Sequence, residues 1–281
     1  MKPAPFRYAR PGSTAEAVGL LAAEGKGAKL LAGGQSLMPL LTRRIERPSL
    51  VIDINHIPGL DQIEILKTHI RVGALVRQEQ ALRSAIVRKE APGVSAALAW
   101  VGNPVVRRRG TVIGNLVTNS PGAELPAVAL ALGAQLVMQY TDREETIPAA
   151  SMIGAQKRFP VDAMVTHVIW PRRPGCVGFY EVARRDGHAP VVSSMVTLSA
   201  GDCSVALSGV CVTGLSCATL ARVIARQFPD VPKARDLASA LREDLTGPVH
   251  WDAYSNSQYR LEVAPTVIQR ATQLMAQDRA A

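Results

Sequence analysis

Apolar and polar positions alternate along this chain in short blocks whose spacing switches repeatedly between helical and extended. Thr14–Glu24 carries alanine and leucine at helical spacing, with Ser13 and Thr14 ahead of it and Gly25 behind, the pattern of a capped helix. Residues 29–32 and the run Leu50-Val51-Ile52-Asp53-Ile54 are short and apolar enough to be buried strands, so the chain opens with a small α/β unit. Residues 60–77 predict two strands around Thr68-His69, and residues 77–88 and 92–100 predict helices. A helix over 121–132, a strand over 135–140 and a strand over 165–170 closed by Pro171 follow. Pro171-Arg172-Arg173-Pro174-Gly175, with two prolines, a glycine and two charges, reads as a linker. Beyond it, residues 191–198 and 205–213 predict paired strands, and the tail from Leu215 predicts mostly helix, including 259–276. No internal repeat interrupts the series.

Two short runs stand out against this background. Lys29-Leu30-Leu31-Ala32-Gly33-Gly34-Gln35-Ser36-Leu37 is a strand running into a glycine turn, and Thr111-Val112-Ile113-Gly114-Asn115 is a second glycine-bearing run. Glycine admits positive φ and lets a ligand approach where a Cβ would block it. Successive N–H groups in such a turn form a nest for anions. Two of them in one chain suggest a diphosphate held from both sides.

Composition narrows the classes. The chain has 281 residues, 47% hydrophobic and 20% charged, enough for two or three modules with a sizeable core. The balance of 32 Lys+Arg against 23 Asp+Glu, net +9, suits either an anionic ligand or a basic solvated surface. Aromatics are only 4%, which argues against base-stacking platforms for nucleic acid. No apolar run is long enough for a membrane span, and the opening Met1-Lys2-Pro3-Ala4-Pro5-Phe6 lacks the apolar core of a secretory signal, so the expectation is a cytoplasmic protein. Cys176, Cys203, Cys211 and Cys217 match no zinc or iron–sulfur spacing and read as buried free thiols. His56, His69 and His167 have no metal-ligand partner at suitable spacing, and Trp100, Trp170 and Trp251 are expected in the core. No nucleophile elbow, phosphate-binding G-x-x-x-x-G-K-[ST] loop or dinucleotide G-x-G-x-x-G is present, and no catalytic or metal residue is assigned.

Taken in order, these residues resemble the medium, flavin-binding subunits of the molybdenum hydroxylases, the group that includes carbon monoxide dehydrogenase and xanthine dehydrogenase-type enzymes. The resemblance runs through both glycine runs, Asp53-Ile54-Asn55-His56-Ile57-Pro58-Gly59-Leu60, Val72-Gly73-Ala74, Thr118-Asn119-Ser120-Pro121-Gly122-Ala123-Glu124-Leu125-Pro126 and the closing Tyr259-Arg260. It implies an α+β fold. An FAD-binding region of two α/β subdomains, similar to that of vanillyl-alcohol oxidase, would occupy 1–173 (subdomains about 1–57 and 58–173). A C-terminal domain of antiparallel sheet and helices would occupy 174–281.

The resemblance also implies a role: an electron-transfer subunit that carries FAD. A large molybdopterin subunit and a small subunit with [2Fe–2S] clusters would be its partners, in a dimer of heterotrimers. Carried over by position, main-chain N–H groups of Ala32, Gly33, Gly34, Gln35 and Ser36 hold the diphosphate. Lys29, Leu30, Leu31 and Leu37 flank that loop. Thr111, Gly114, Asn115 and Thr118 grip from the second run, and Glu124 meets a ribityl or ribose hydroxyl. Val101 and Val165 contact adenine or flavin, and Tyr180, with His188 beyond it, lies near the isoalloxazine. Arg107-Arg108-Arg109 reads equally as a diphosphate neutraliser, a dock for an acidic partner or a solvated turn. One departure carries weight: the second loop has Ile113 where the family has a glycine. If that position needs positive φ or lets the phosphate come close, isoleucine is strained there; with Tyr180-Glu181 where many relatives have a lysine near the flavin, the alternative is a structural subunit that has lost FAD.

Overall fold

A computed structural model describes residues 2–153, 159–172 and 175–280. Three sheets succeed one another along the chain. The first is parallel: β1 (Arg7–Ala9), β2 (Ala28–Leu31) and β3 (Leu50–Asp53) in the order β1-β3-β2, with α1 (Thr14–Glu24) and α2 (Leu37–Thr42) as connections. α1 begins where the Ser13 hydroxyl accepts the Glu16 N–H and ends at Gly25, whose φ of 58° suits glycine.

The second sheet is antiparallel. It joins β4 (Ile63–Ile65), β5 (His69–Gly73), β6 (Gln135–Gln139), β7 (Glu144–Pro148) and β8 (Met164–Pro171) in the order β4-β5-β8-β6-β7. Between β5 and β6 lie six short helices: α3 (Gln78–Arg83), α4 (Ala85–Glu90), α5 (Pro92–Leu98), α6 (Pro104–Arg109), α7 (Val112–Thr118) and α8 (Leu125–Leu132). The single helix expected over 77–88 is two, because Ser84 is extended and its hydroxyl caps α4 through the Val87 N–H. The helix expected from Pro121 starts at Leu125, after a turn in which the Ala123 N–H meets the Ser120 carbonyl.

The third sheet, β9 (Cys176–Ala183), β10 (Pro190–Ser199), β11 (Asp202–Ser208) and β12 (Leu215–Ser216), is antiparallel in the order β12-β11-β10-β9. One face packs on α5 and α8 and shares their core through Phe179, Met195 and Ala206. The other carries α9 (Ala218–Gln227), α10 (Ala234–Asp244) and α11 (Ser257–Ala280) over a second apolar cluster. Gly178 explains itself here: a Cβ would stand 1.9 Å from the Ala271 carbonyl, so α11 lies directly on the strand backbone. The strand expected over 205–213 stops at Ser208, because Gly209 turns at φ 87° against the Val191 carbonyl.

Arg173 and Pro174 of the expected linker, and with them the expected domain boundary, lie outside the described residues. The expected tryptophan core is corrected: Trp170 is fully buried, but Trp251 is 72% exposed and Trp100 is partly exposed. Cys211 and Cys217 are buried, whereas Cys176 and Cys203 are only half-buried; burial raises all four thiols, Cys203 to about 11. Among the described residues no helix is long and apolar enough to cross a membrane, and no group of three metal-ligating side chains occurs.

Candidate functional site

The first sheet, the helices α6 and α7, the turn before α8 and β8 enclose a cleft of about 1440 Å3. That is larger than the few hundred Å3 of an ordinary small-ligand pocket. Of the residues assigned from sequence to the cofactor, all but Leu31, Tyr180 and His188 line it, and His188 lines a neighbouring pocket instead. Leu31 instead turns its side chain beneath Gly34, and Tyr180 stacks edge-on against Trp100 at 5.5 Å. Lys29 sits at the rim, paired with Glu46 at 3.1 Å.

The first glycine run makes a turn with open donors. Gly34 has φ 70°, and its carbonyl accepts the Met38 N–H of α2. The Gln35 side chain returns to the Gly33 carbonyl at 3.2 Å. The main-chain N–H groups of Gly33, Gly34, Gln35 and Ser36 donate to no protein acceptor among the described residues. Successive unpaired N–H groups beside a large cleft are suited to an oxyanion. Gly33 has a separate reason to be glycine: a Cβ would lie 2.3 Å from the Arg109 carbonyl and 2.9 Å from Gly110 Cα. Its bareness lets the two runs touch.

The second run is built differently. Thr111 is the N-cap of α7, and its hydroxyl accepts the Gly114 N–H at 3.0 Å. The Val112 N–H donates to Val76 and the Asn115 N–H to Thr111. Ile113 lies inside α7, 4% exposed, with negative helical φ. The strain expected of an isoleucine at this position therefore does not arise, and its side chain forms part of the cleft wall. Asn115 is a clamp: its Nδ2 donates to Glu124 Oε2 at 3.1 Å, and its Oδ1 accepts the Leu125 N–H at 3.2 Å. Thr118 donates to the Gly114 carbonyl at 2.7 Å and reaches Ser36 Oγ at 3.5 Å, joining the two runs.

Glu124 is 3% exposed, and burial raises its carboxyl against the opposing pull of the Asn115 hydrogen bond. Behind it, on β9, Glu181 is pushed up to about 9 by burial and by the charge of Glu124. Glu181 pairs in register with Ser193, and Ser193 with Ser208, so the three form one polar row across β9, β10 and β11. Glu181 Oε2 and both hydroxyls lack a protein partner among the described residues. A buried polar row of this kind is where ordered water sits.

Sequence reasoning missed the residues that hold the two runs in place. Asn55 donates to the carbonyls of Ala32 and Leu31 at 2.9 and 3.3 Å and to Asp53 Oδ1 at 2.6 Å. Arg77 then reaches Asn55 Oδ1 and the Arg109 carbonyl, both at 2.7 Å, so one guanidinium ties the first run to the second. Asn119 was also missed; it takes left-handed φ 45° at the cleft wall with its buried Oδ1 unpartnered among the described residues. An Asn-Ser-Pro-Gly string is a turn signal, but nothing in it marks a cleft. Arg107, by contrast, is structural: it pairs with Glu79 at 3.0 Å and donates to the carbonyls of Val101 and Gly102.

Residues 4–173 match the family described as the FAD binding domain in molybdopterin dehydrogenase. The chain is 34% identical to the 6-hydroxypseudooxynicotine dehydrogenase complex subunit alpha of Paenarthrobacter nicotinovorans, over 96% of this chain and 94% of the relative. Among solved structures, a chain of the reconstituted CO dehydrogenase from Oligotropha carboxidovorans superimposes with a TM-score of 0.91 at 25% identity, covering 99% of this chain and 100% of that one. A chain of quinoline 2-oxidoreductase from Pseudomonas putida 86 gives 0.87 at 27% identity, covering 99% of both.

Proposed function

The chain belongs to the family of FAD-binding domains of molybdopterin dehydrogenases, and from that premise we propose that it is the electron-outlet subunit of a molybdenum hydroxylase complex in the cytoplasm. In this reading FAD held here would connect [2Fe–2S] clusters of a small partner subunit to an external acceptor, while substrate would be oxidised on a large molybdopterin subunit. Bound FAD would supply the chemistry that matches one-electron donors to a two-electron acceptor.

The observation that carries the proposal is the row of unpartnered N–H groups at Gly33, Gly34, Gln35 and Ser36, opening on a cleft of dinucleotide size. These groups would hold the diphosphate, with the Ser36 hydroxyl as a further donor. Arg77 and Asn55 keep the loop in place from behind. Val101, Ile113 and Val165 give the cleft an apolar wall that would exclude water from a bound ring system. Glu124, oriented by Asn115, would accept a hydrogen bond from a sugar-chain hydroxyl. The alternative of a subunit without FAD leans on Ile113 and on Tyr180-Glu181 standing where many relatives carry a lysine; of these, Ile113 has ordinary helical backbone.

The test is the absorption spectrum of the purified protein, with acid release and quantification of any flavin. The proposal expects close to one FAD per chain. A colourless protein that takes up no FAD on incubation with excess cofactor would overturn it.

A further inference from the structure

A second pocket, of about 300 Å3, adjoins the cleft and shares with it the wall formed by Ser120, Pro121, Gly122 and Ala189. Its other side comes from the turn between β9 and β10, which brings Arg184 and His188, from the segment leading into α11, which brings His250, Asp252 and Ser255, and from the first turn of α11, which brings Arg260. None of these six residues lines the cleft.

Its walls present donors without acceptors. Arg260 is 2% exposed, and one terminal nitrogen donates to the carbonyls of Val191 and Gly209 at 2.5 and 2.8 Å. Its other terminal nitrogen donates to Asp252 Oδ2 at 2.6 Å, yet the buried Nε–H meets no protein acceptor among the described residues. Ser255 is 7% exposed and its Oγ is likewise unpartnered. Buried donors left unpaired are rare in folded proteins and mark a missing acceptor.

The carboxylate in the pocket is already committed. Asp252 accepts from the N–H groups of Tyr254 and Ser255, at 2.7 and 2.9 Å, as well as from Arg260. What remains is the Arg184 guanidinium, held over the Tyr254 ring at 5.0 Å with no carboxylate partner among the described residues, beside the His188 ring and the His250 ring, whose Nε2 lies 3.7 Å from Asp252 Oδ2. A pocket that offers a guanidinium, a hydroxyl and a buried N–H, with its own carboxylate satisfied, selects an oxyanion over a neutral or cationic guest.

We propose that this pocket binds a phosphate or carboxylate group, held by Arg184, Ser255 and the Nε–H of Arg260, one wall away from the ligand of the cleft. The group arrives either as a free anion or as the anionic end of a molecule whose remainder lies over the shared wall. Arg184, Ser255 and Arg260 line this pocket and not the cleft, so its occupancy and the FAD content of the same sample are separate readouts.

The experiment is calorimetric titration of the purified protein with inorganic phosphate and, separately, with phenyl phosphate, alongside Arg184→Gln and Ser255→Ala. Saturable binding at one site per chain is expected, weakened about tenfold by Arg184→Gln, the usual worth of a charge-assisted contact, and less by Ser255→Ala. Tighter binding of phenyl phosphate would assign the anion to a larger molecule, and equal affinities would assign it to a free ion; both uphold the site. Should Ser255→Ala fold poorly, Arg184→Gln, on an exposed turn, carries the test alone. Absence of saturable binding, or affinities untouched by Arg184→Gln, would overturn the proposal.

Discussion

The two glycine runs look alike in sequence and behave oppositely in the fold. In the first, four consecutive amides at residues 33–36 are left open to the cleft. In the second, the amides of Val112, Gly114 and Asn115 are already bonded inside the protein, and the Asn115 side chain is committed to Glu124 and Leu125. One run leaves its backbone N–H groups unpaired beside the cleft, and the other uses its backbone to start a helix. A small-residue string therefore signals a special backbone; whether a ligand or a helix cap meets the exposed N–H groups depends on what the rest of the chain places beside it.

The sharpest way to break the contrast is Gly33→Val. Its Cβ has no room against the Arg109 carbonyl, so the runs must separate. We expect retained FAD to fall by at least about tenfold, with stability reduced by about 1–3 kcal/mol in denaturant titration. Unchanged flavin content in this variant would show that the contact between the runs does not shape the site.

Glu181→Gln probes the polar row behind the second run. With its carboxyl raised to about 9, the folded chain holds one proton more than the unfolded chain between the ordinary carboxylate range and that value. This group therefore makes stability fall as pH rises through that window, by at most about 1.4 kcal/mol per pH unit, and level off above it. Glutamine has no proton to lose. Melting temperatures measured from pH 5 to 9 should show the variant more stable than the parent at the alkaline end, with the difference vanishing toward pH 5.

Asn115→Ala removes the clamp. The buried Glu124 carboxyl and the Leu125 N–H both lose a partner, at about 1–3 kcal/mol of stability. Because the first run is untouched, flavin retention should fall less than in Gly33→Val. Thr111→Ala gives the smallest effect, the loss of one N-cap, about 1 kcal/mol. Thr111→Ser should restore it, because serine keeps the capping hydroxyl.

How much of this was legible beforehand follows from the range of each interaction. The capped helix α1, the buried strand β3 and the glycine turn after β2 are written in a few adjacent residues, and sequence periodicity finds them. The start of α7 was readable in principle, since Thr111 stands three residues before Gly114 in the manner of an N-cap, but its glycine made it look like a loop. β9 was invisible because Gly178 and Glu181 break its apolar pattern, and both breaks have tertiary causes: α11 lies on one and a buried polar row holds the other. Arg77 and Asn55 bridge 22 residues between themselves, and Arg77 spans 32 to reach Arg109. No local pattern announces such a tie.

The most direct measurement is backbone amide NMR of the isotopically labelled, flavin-free chain during titration with FAD. The account predicts that the largest shifts fall on the amides of Gly33, Gly34, Gln35 and Ser36, with Gly114 and Asn115 moving little because their N–H groups are already bonded. Large shifts confined to Thr111, Gly114 and Asn115, with residues 33–36 unmoved, would contradict it.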